Sequence, residues 1–219
     1  GLIGETPLLQ AFAGDSLTEF GASTVSATVY SFAGWEPYAK ELENCMGTGL
    51  LIDQVDTSGL DTLASHSISP MKTGGETYYD QSLWLLELPE PLHEGHYLVE
   101  LSFNANGVDY VRQHFLQVSR YSFFYMRSDG NLLAWLNDTA TGQPVPGAKI
   151  SMDGGVTASL TTGADGSAQA SDATRAEAQN GSQVSTLITV DTGSGTFVDV
   201  DSYRYYDQGY YGGTSETPE

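Results

Sequence analysis

Two histidines and a glutamate stand close together in the order His93-Glu94-x-His96. Imidazole and carboxylate groups are ligands of zinc, but a zinc site needs further protein ligands held at fixed angles. This segment is predicted to be a turn between two strands, and the sequence shows no additional ligand beside it. We therefore interpret the three residues as surface turn residues. The histidines His66 and His114 belong to no motif, so we predict no metal site.

Three carboxylates, Asp199, Asp201 and Asp207, stand near the end of the chain. Hard cations prefer oxygen ligands, and alternate residues of a strand share one face. The spacing and the turn glycine of an EF-hand loop are not present in this segment. We therefore predict no cofactor and keep calcium at these carboxylates as the alternative.

Nucleophilic and hydrolytic chemistry find no support in the sequence. No Gly-x-Ser-x-Gly motif forms a nucleophile elbow, and no glycine-rich loop precedes a helix to bind phosphate. Paired carboxylates for glycoside cleavage cannot be singled out among twenty-eight acidic residues. The one cysteine, Cys45, cannot form a disulfide within the chain, and we interpret it as an unbridged, half-buried thiol. We predict that the chain is not an enzyme.

The charge of the chain limits the classes of partner that it can bind. Eight Lys and Arg against twenty-eight Asp and Glu give a formal net charge of -20. Such an acidic protein is repelled by phosphate backbones, which excludes nucleic acid, and by anionic membrane surfaces. No apolar run approaches the roughly 20 residues that span a bilayer, and the chain opens without a basic, apolar leader. We expect a mature or excised segment of an exported protein in an extracellular, cell-surface or periplasmic location.

Composition predicts an all-β chain of two tandem antiparallel β-sandwich domains. The 219 residues are enough for two domains of about 100 residues each. Twenty-five glycines and thirteen tyrosines, with abundant Val, Thr and Ser, favour strands and tight turns. We predict the first domain at residues 1–118 and the second at 119–202, with a tyrosine- and glycine-rich linker or tail at 203–219.

The first predicted domain contains a central strand and an inserted helix. Residues 23–32 alternate between two faces with a period of two, which is typical of a strand. Residues 35–43 carry a proline in the first predicted turn and suggest a short helix. Residues 47–76 are predicted to be an irregular loop with one edge strand. Residues 83–103 are predicted to form a hairpin around a proline-rich turn, and 108–118 the last strand.

The second predicted domain follows without a flexible linker, so we expect the contact at residues 117–125 to be important. Residues 138–147 contain two prolines and two glycines between two strands, and Gly166 is predicted to turn the chain with a positive φ. Residues 184–200 are predicted to form a hairpin. We expect Tyr97 and Trp135 to be core aromatics, one in each domain.

The tail is rich in tyrosines that we expect to be exposed, namely Tyr205, Tyr206, Tyr210 and Tyr211. An exposed aromatic cluster requires a partner surface. The first interpretation is a neighbouring domain of a longer chain, and the alternative is stacking on carbohydrate.

Two segments resemble consecutive domains of one protein family. Residues 88–100 have the sequence LPEPLHEGHYLVE, and residues 132–148 have the sequence LLAWLNDTATGQPVPGA. The first resembles a hairpin of the macroglobulin-type domains in bacterial α2-macroglobulin-like proteins, and the second resembles the opening of the domain that follows. The resemblance covers residues 83–170 well, and residues 25–42 and the tail less closely.

The resemblance implies immunoglobulin-like sandwiches from the amino-terminal region of a protease-trapping protein. It implies a non-catalytic structural pair whose partners are neighbouring macroglobulin domains of the parent chain, together with a target protease. Many members carry a thioester built from Cys-x-Glu-Gln, whereas Cys45 is followed by Met46, Gly47 and Thr48, so Cys45 is not assigned that role. The alternatives are a cell-surface adhesin or carbohydrate-binding module, and a hydrolase domain with a deep pocket.

Overall fold

The computed structural model describes residues 1–13, 24–47, 55–72, 82–105, 107–128, 131–171, 174–175 and 183–204. Up to residue 118 the chain forms one α-helix, a short 3-10 helix (Thr57–Gly59) and seven strands in its described part: β1 (Leu8–Ala13), β2 (Val25–Ser31), α1 (Trp35–Gly47), β3 (Asp61–Ile68), β4 (Met71–Lys72), β5 (Ser82–Glu87), β6 (Gly95–Ala105) and β7 (Val108–Val118). The later strands are β8 (Tyr121–Ser128), β9 (Asn131–Asp138), β10 (Lys149–Gly154), β11 (Val156–Thr161), β12 (Ser167–Ala170), β13 (Thr174–Arg175), β14 (Gln183–Asp191) and β15 (Thr196–Arg204).

The first half of the chain is an antiparallel β-sandwich. One sheet has the strand order β1-β5-β4 and the other the order β3-β2-β6-β7. The apolar residues that alternate inward from the two sheets form one core. Its buried members are Leu9, Val25, Ala27, Val29, Ile68, Leu86, Leu88, Tyr97, Val99, Leu101 and Val118.

The second half is also an antiparallel sandwich. A sheet with the order β13-β11-β10-β14-β15 packs on a sheet with the order β12-β9-β8. The core between them has its own set of buried residues, which are Tyr121, Leu132, Ala134, Leu136, Ala148, Ile150, Met152, Val156, Ala168, Ile188 and Val190. The all-β prediction is therefore confirmed. The exact division at residue 118 stays a proposal, which the two separate cores support.

Several local predictions are confirmed. Strand β2 is central, between β3 and β6, and its residues alternate between the core and the opposite face as the period of two predicted. The predicted hairpin β14–β15 forms, and Gly166 (φ 73°) adopts the left-handed conformation predicted for it. The hairpins β6–β7 and β8–β9 also form, and Gly107 (φ 78°) lies in the turn of the first. At Gly166 a Cβ atom would lie 2.5 Å from the carbonyl oxygen of Leu136, so this position has no room for any side chain.

The predicted hairpin between residues 83–88 and 97–103 is wrong. Strand β5 pairs with β1 and β4, whereas β6 pairs with β2 and β7 in the other sheet. The proline-rich connection carries the chain across the sandwich, so that Leu86 and Tyr97 share the core instead of a ladder. Tyr97 is buried as expected, and its hydroxyl donates to the carbonyl of His93 at 2.8 Å.

The segment predicted as an irregular loop contains more structure than expected. Within its described residues, β3 is an eight-residue edge strand beside β2, and the short β4 follows it. The helix predicted at residues 35–43 is confirmed and extends to Gly47. In the part of the chain that the structure describes, no helix is long and apolar enough to cross a membrane.

Trp135 is not a core residue, contrary to prediction. Its side chain is 48% exposed, because Ala134 and Leu136 occupy the inward positions of β9 and leave Trp135 on the outer face. The run at residues 132–136 is apolar on both sides of the strand. Alternation alone therefore does not tell which residues of this strand point into the core, and the large side chain of Trp135 favoured the wrong choice.

Candidate functional site

The outer faces of the two sandwiches meet around helix α1. The helix contacts β6 on one side and β14 and β15 on the other. We call this third apolar cluster the junction core. Its buried members are Phe32, Tyr38, Ala39, Cys45, Val55, Leu98 and Val198, with Tyr30, Trp35, Leu42, Leu60, Phe115 and Leu187 partly buried against them.

The sequence of α1 explains its position. Apolar residues recur three and four positions apart and form one stripe along the helix: Trp35, Tyr38, Ala39, Leu42 and Cys45. Pro37 lies in the first turn, where no backbone N–H is required. The negative charge of Glu36 lies at the positive end of the helix dipole, which stabilises the helix. The apolar stripe can therefore be buried by two sheets at once, while the polar residues stay outside.

Tyr38 is the aromatic centre of the junction core. Its ring centroid lies 5.4 Å from that of Phe32 and 5.5 Å from that of Phe115, both in edge-to-face geometry. It lies 4.9 Å from the imidazole of His96. Burial, and secondly the negative charge of Asp199, raise the pKa of Tyr38, so its hydroxyl remains neutral.

His96 belongs to the junction and is half-buried there, so the prediction of a surface turn residue is wrong for it. Strand β6 directs it outward onto α1, whereas His93 and Glu94 stay exposed in the preceding turn. Burial lowers the pKa of His96, and polar contacts with Gln117 and the backbone of Thr196 and the charge of Glu36 oppose that change.

One hydrogen bond joins an amide side chain of the first half to the backbone of the second. The Oε1 atom of Gln117 accepts from the backbone N–H of Val198 at 2.9 Å. Only Ser119 and Arg120 connect β7 to β8, and the carbonyl of Arg120 accepts from the N–H of Thr139 at 2.8 Å. The connection of two residues leaves no room for a flexible linker, as predicted, and the importance of the contact at residues 117–125 stays a prediction.

The Arg120 guanidinium forms an ion pair with Asp138 beside this connection. Its hydrogen bond holds the pKa of Asp138 below the usual range, and backbone N–H groups of Ala140 and Thr141 act in the same direction. Asp138 therefore anchors both the connection and the turn that follows β9. The pair is partly exposed, so its contribution is positional rather than a large part of the stability.

The candidate metal ligands weighed in the sequence do not form a group in the described part of the chain. In the described part of the chain no group of three or more His, Cys, Asp or Glu side chains is arranged to hold an ion. Asp199 and Asp201 lie on β15, and burial raises the pKa of Asp199, while Asp207 lies outside the described residues. Calcium binding there remains an untested alternative. The tail residues Tyr205, Tyr206, Tyr210 and Tyr211 also lie outside the described residues.

Two shallow grooves offer no catalytic arrangement. One, of ≈ 310 Å³, lies at the connection between the halves and includes Glu5, Gln117 and Tyr121 in its lining. The other, of ≈ 340 Å³, lies against β9 and β12 and includes Asn131 and Gln169. The first groove has a single carboxylate in its lining and the second has none. Neither groove supplies the paired carboxylates that the hydrolase alternative requires.

A second surface of interest is the outer face of the sheet β12-β9-β8, which we call the bare face. Phe124 pairs across the strands with Trp135, and Met126 pairs with Leu133. The side chains of Phe124 and Met126 are 57% and 53% exposed. Sequence reasoning missed this face, although the adjacent aromatics at 123 and 124 were a signal, since they must point to opposite sides of one strand.

Comparisons with known proteins indicate the fold. No protein-family model and no curated protein matches this sequence. A crystal structure of native alpha-2-macroglobulin from Escherichia coli spanning domains NIE-MG1 aligns at a TM-score of 0.55 and 16% identity over 82% of this chain and 84% of that chain. One spanning domains MG0-NIE-MG1 aligns at a TM-score of 0.57 and 15% identity over 90% of this chain and 58% of that chain. The structure of this chain is therefore similar to those alpha-2-macroglobulin fragments, which confirms the predicted resemblance at the level of the fold.

Proposed function

We propose that this chain is a non-catalytic structural domain pair of a bacterial α2-macroglobulin-like, protease-trapping protein. One observation carries the proposal: the fold matches the NIE-MG1 fragment over 82% of this chain and 84% of that chain, so the match extends over both sandwiches of this chain rather than one. The quoted sequence segments at residues 88–100 and 132–148, one in each sandwich, support the same assignment.

The junction core supports this role. A helix whose apolar stripe packs on both sandwiches would hold them at a fixed angle, and a fixed angle would let the pair position neighbouring domains of the parent chain. The proposed partners are those neighbouring domains and, through the assembled protein, a protease. The net charge of -20 supports an exported protein in an extracellular, cell-surface or periplasmic location, where it keeps such a chain soluble.

The experiment uses the full-length product of the gene that encodes this chain. The purified protein is incubated with trypsin, and trypsin activity is measured on casein and on a short chromogenic peptide. A trapping protein lowers casein cleavage and spares peptide cleavage, because an enclosed protease is reached only by small substrates. If both activities are unchanged with trypsin and with proteases of other specificities, the trapping role is wrong.

The domain role is tested in the same assay with two variants. Tyr38→Ala removes the centre of the junction core and should weaken trapping in a protein that is still secreted. Gln143→Ala changes an exposed turn residue and should leave trapping unchanged. Equal trapping by both variants would show that the junction does not position neighbouring domains. Hydrolysis of a substrate by this chain alone would contradict the non-catalytic assignment.

The second candidate function is carbohydrate binding at the cell surface. The exposed pair Phe124 and Trp135, with Gln169 on the neighbouring strand, is an aromatic platform of the kind that stacks on sugar rings. Binding to a glycan array that is lost in Trp135→Ala, or in a variant with Tyr205, Tyr206, Tyr210 and Tyr211 changed to Ala, would favour this function. No binding to any glycan would remove it.

A further inference from the structure

The bare face is an apolar surface without a partner in the described part of the chain. Phe124, Met126, Leu133 and Trp135 form a two-by-two patch on adjacent strands, since Phe124 pairs with Trp135 and Met126 with Leu133. Three of these four side chains are among the most exposed large apolar residues of the protein. A contiguous patch of this kind usually marks a binding surface.

Strand β15 runs along β8 on its inner side, opposite to the bare face. The hydroxyl of Tyr121 lies 2.6 Å from the Oγ atom of Ser194, and the ring of Phe123 lies 5.7 Å from that of Phe197. Burial raises the pKa of Tyr125, and a hydrogen bond with the neighbouring Asp201 raises it further. Later residues of β8 thus meet later residues of β15. The chain therefore leaves β15 at the end of β8 that carries Met126.

The residues that follow β15 are suited to the bare face in composition. Beyond Arg204 the chain has four tyrosines within residues 205–211. An extended segment of that length spans roughly 23 Å, which exceeds the roughly 10 Å between two packed sheets. It can therefore pass around the edge strand β8 to the outer face. Tyrosine rings stack well on Phe and Trp.

Covalent attachment favours this segment over other occupants. A segment tethered a few residues away has an effective concentration on the order of millimolar at the face, before any new contact is counted. A second copy of the chain carries the same net charge of -20, so its approach is opposed by repulsion. The observations thus favour an occupant from the same molecule.

We propose that residues 205–211 bind the bare face of their own chain, with tyrosine rings packed on Phe124 and Trp135. The tail then has a defined docking surface on the second sandwich and covers an apolar patch that would otherwise meet water. This proposal does not depend on the trapping function, because it concerns contacts within one chain.

The test uses the whole chain labelled with 5-fluorotryptophan and observed by ¹⁹F NMR. The chain has three tryptophans, and the signal of Trp135 is assigned with Trp135→Phe. Changing Tyr205, Tyr206, Tyr210 and Tyr211 together to Ser should shift the Trp135 signal and increase its quenching by a dissolved paramagnetic agent at least twofold. The signals of Trp35 and Trp84 should not move, which also reports that the fold is intact.

Two further measurements separate this occupant from others. Changing the same four tyrosines to Phe should leave the Trp135 signal near its original position, because the rings remain. Dilution over a hundredfold range should also leave it unchanged, because the contact is intramolecular. A Trp135 signal that ignores the Tyr→Ser changes would overturn the proposal, and so would a signal that depends on concentration, which would indicate a second copy.

Discussion

The second sandwich has two outer faces with similar side chains and opposite environments. The face of β14 and β15 presents Leu187 and Val198, and helix α1 of the first half covers it. The face of β8 and β9 presents Phe124 and Trp135, whose side chains are about half exposed. Apolar residues on the outside of a strand therefore do not identify a buried face by themselves. What decides is whether another element of the chain packs there.

This difference assigns different roles to the two faces. The covered face joins the halves through a core of its own, so changes there should lower the stability of the whole chain. No described element packs on the bare face, so changes there should alter the docking of the tail or of another partner with little effect on stability. The predictions below test that contrast.

The largest effect is expected at the centre of the junction core. Tyr38 is 4% exposed and contacts three other rings, so Tyr38→Ala should lower the free energy of unfolding by about 3 to 5 kcal/mol. Trp135→Ala, a larger truncation on the bare face, should cost about 1 kcal/mol or less. Urea denaturation followed by circular dichroism measures both. Equal losses would remove the distinction between the faces.

An intermediate effect is expected for the hydrogen bond across the junction. Gln117→Ala removes the acceptor of the Val198 N–H and should cost about 1 to 3 kcal/mol, because that donor is then left without its partner. Gln143→Ala, in an exposed turn, is the matched control and should change the urea midpoint little. If the two variants unfold at the same urea concentration, the bond does not contribute to the junction.

The junction should also be sensitive to mild acid. Burial lowers the pKa of His96 from its ordinary value of 6.5, so below that value the unfolded chain takes up a proton that the folded chain resists. Stability contributed by neutral His96 is thus present above pH 6.5 and falls as the pH is lowered through it. Urea midpoints measured from pH 8 to 5.5 should fall less steeply in His96→Gln than in the parent.

Two other groups also contribute to the dependence of stability on pH. Burial also lowers the pKa of His114, so part of the slope should remain in His96→Gln. The raised pKa of Asp199 acts in the opposite direction, but only at the lower pH where a carboxylate takes up a proton. If His96→Gln keeps the parent slope, His96 does not couple the junction to pH.

The smallest effect is expected for a methionine on the bare face. Met126→Gln should change the free energy of unfolding by no more than about 0.5 kcal/mol, because the side chain is 53% exposed. Met152, on the inner face of the same sandwich, is buried, and Met152→Gln should cost several times as much. A large loss in Met126→Gln would show that the outer face is covered as firmly as the inner one.

Local patterns were the part of the fold that sequence could predict. Helix α1 was predicted from its apolar spacing and Pro37, because these signals act over a few residues.

Which strands pair, and which faces are covered, was the part of the fold that the sequence could not predict. Strands β5 and β6 have the alternation of a hairpin, yet they belong to different sheets, because pairing is decided by the assembled sandwich rather than by neighbouring residues. The burial of His96 and the exposure of Trp135 have the same origin. Each lies on an outer face, and only the position of α1 makes one face covered and the other bare.

The most direct test of the account is native-state hydrogen exchange, followed by mass spectrometry, on strands β6 and β10. These strands lie in the separate cores of the two halves. If the junction core joins the halves into one cooperative unit, the slowest amides of both strands should report the same free energy of opening, and the two values should separate in Tyr38→Ala. Different values in the parent chain, with one half opening while the other stays protected, would contradict the account.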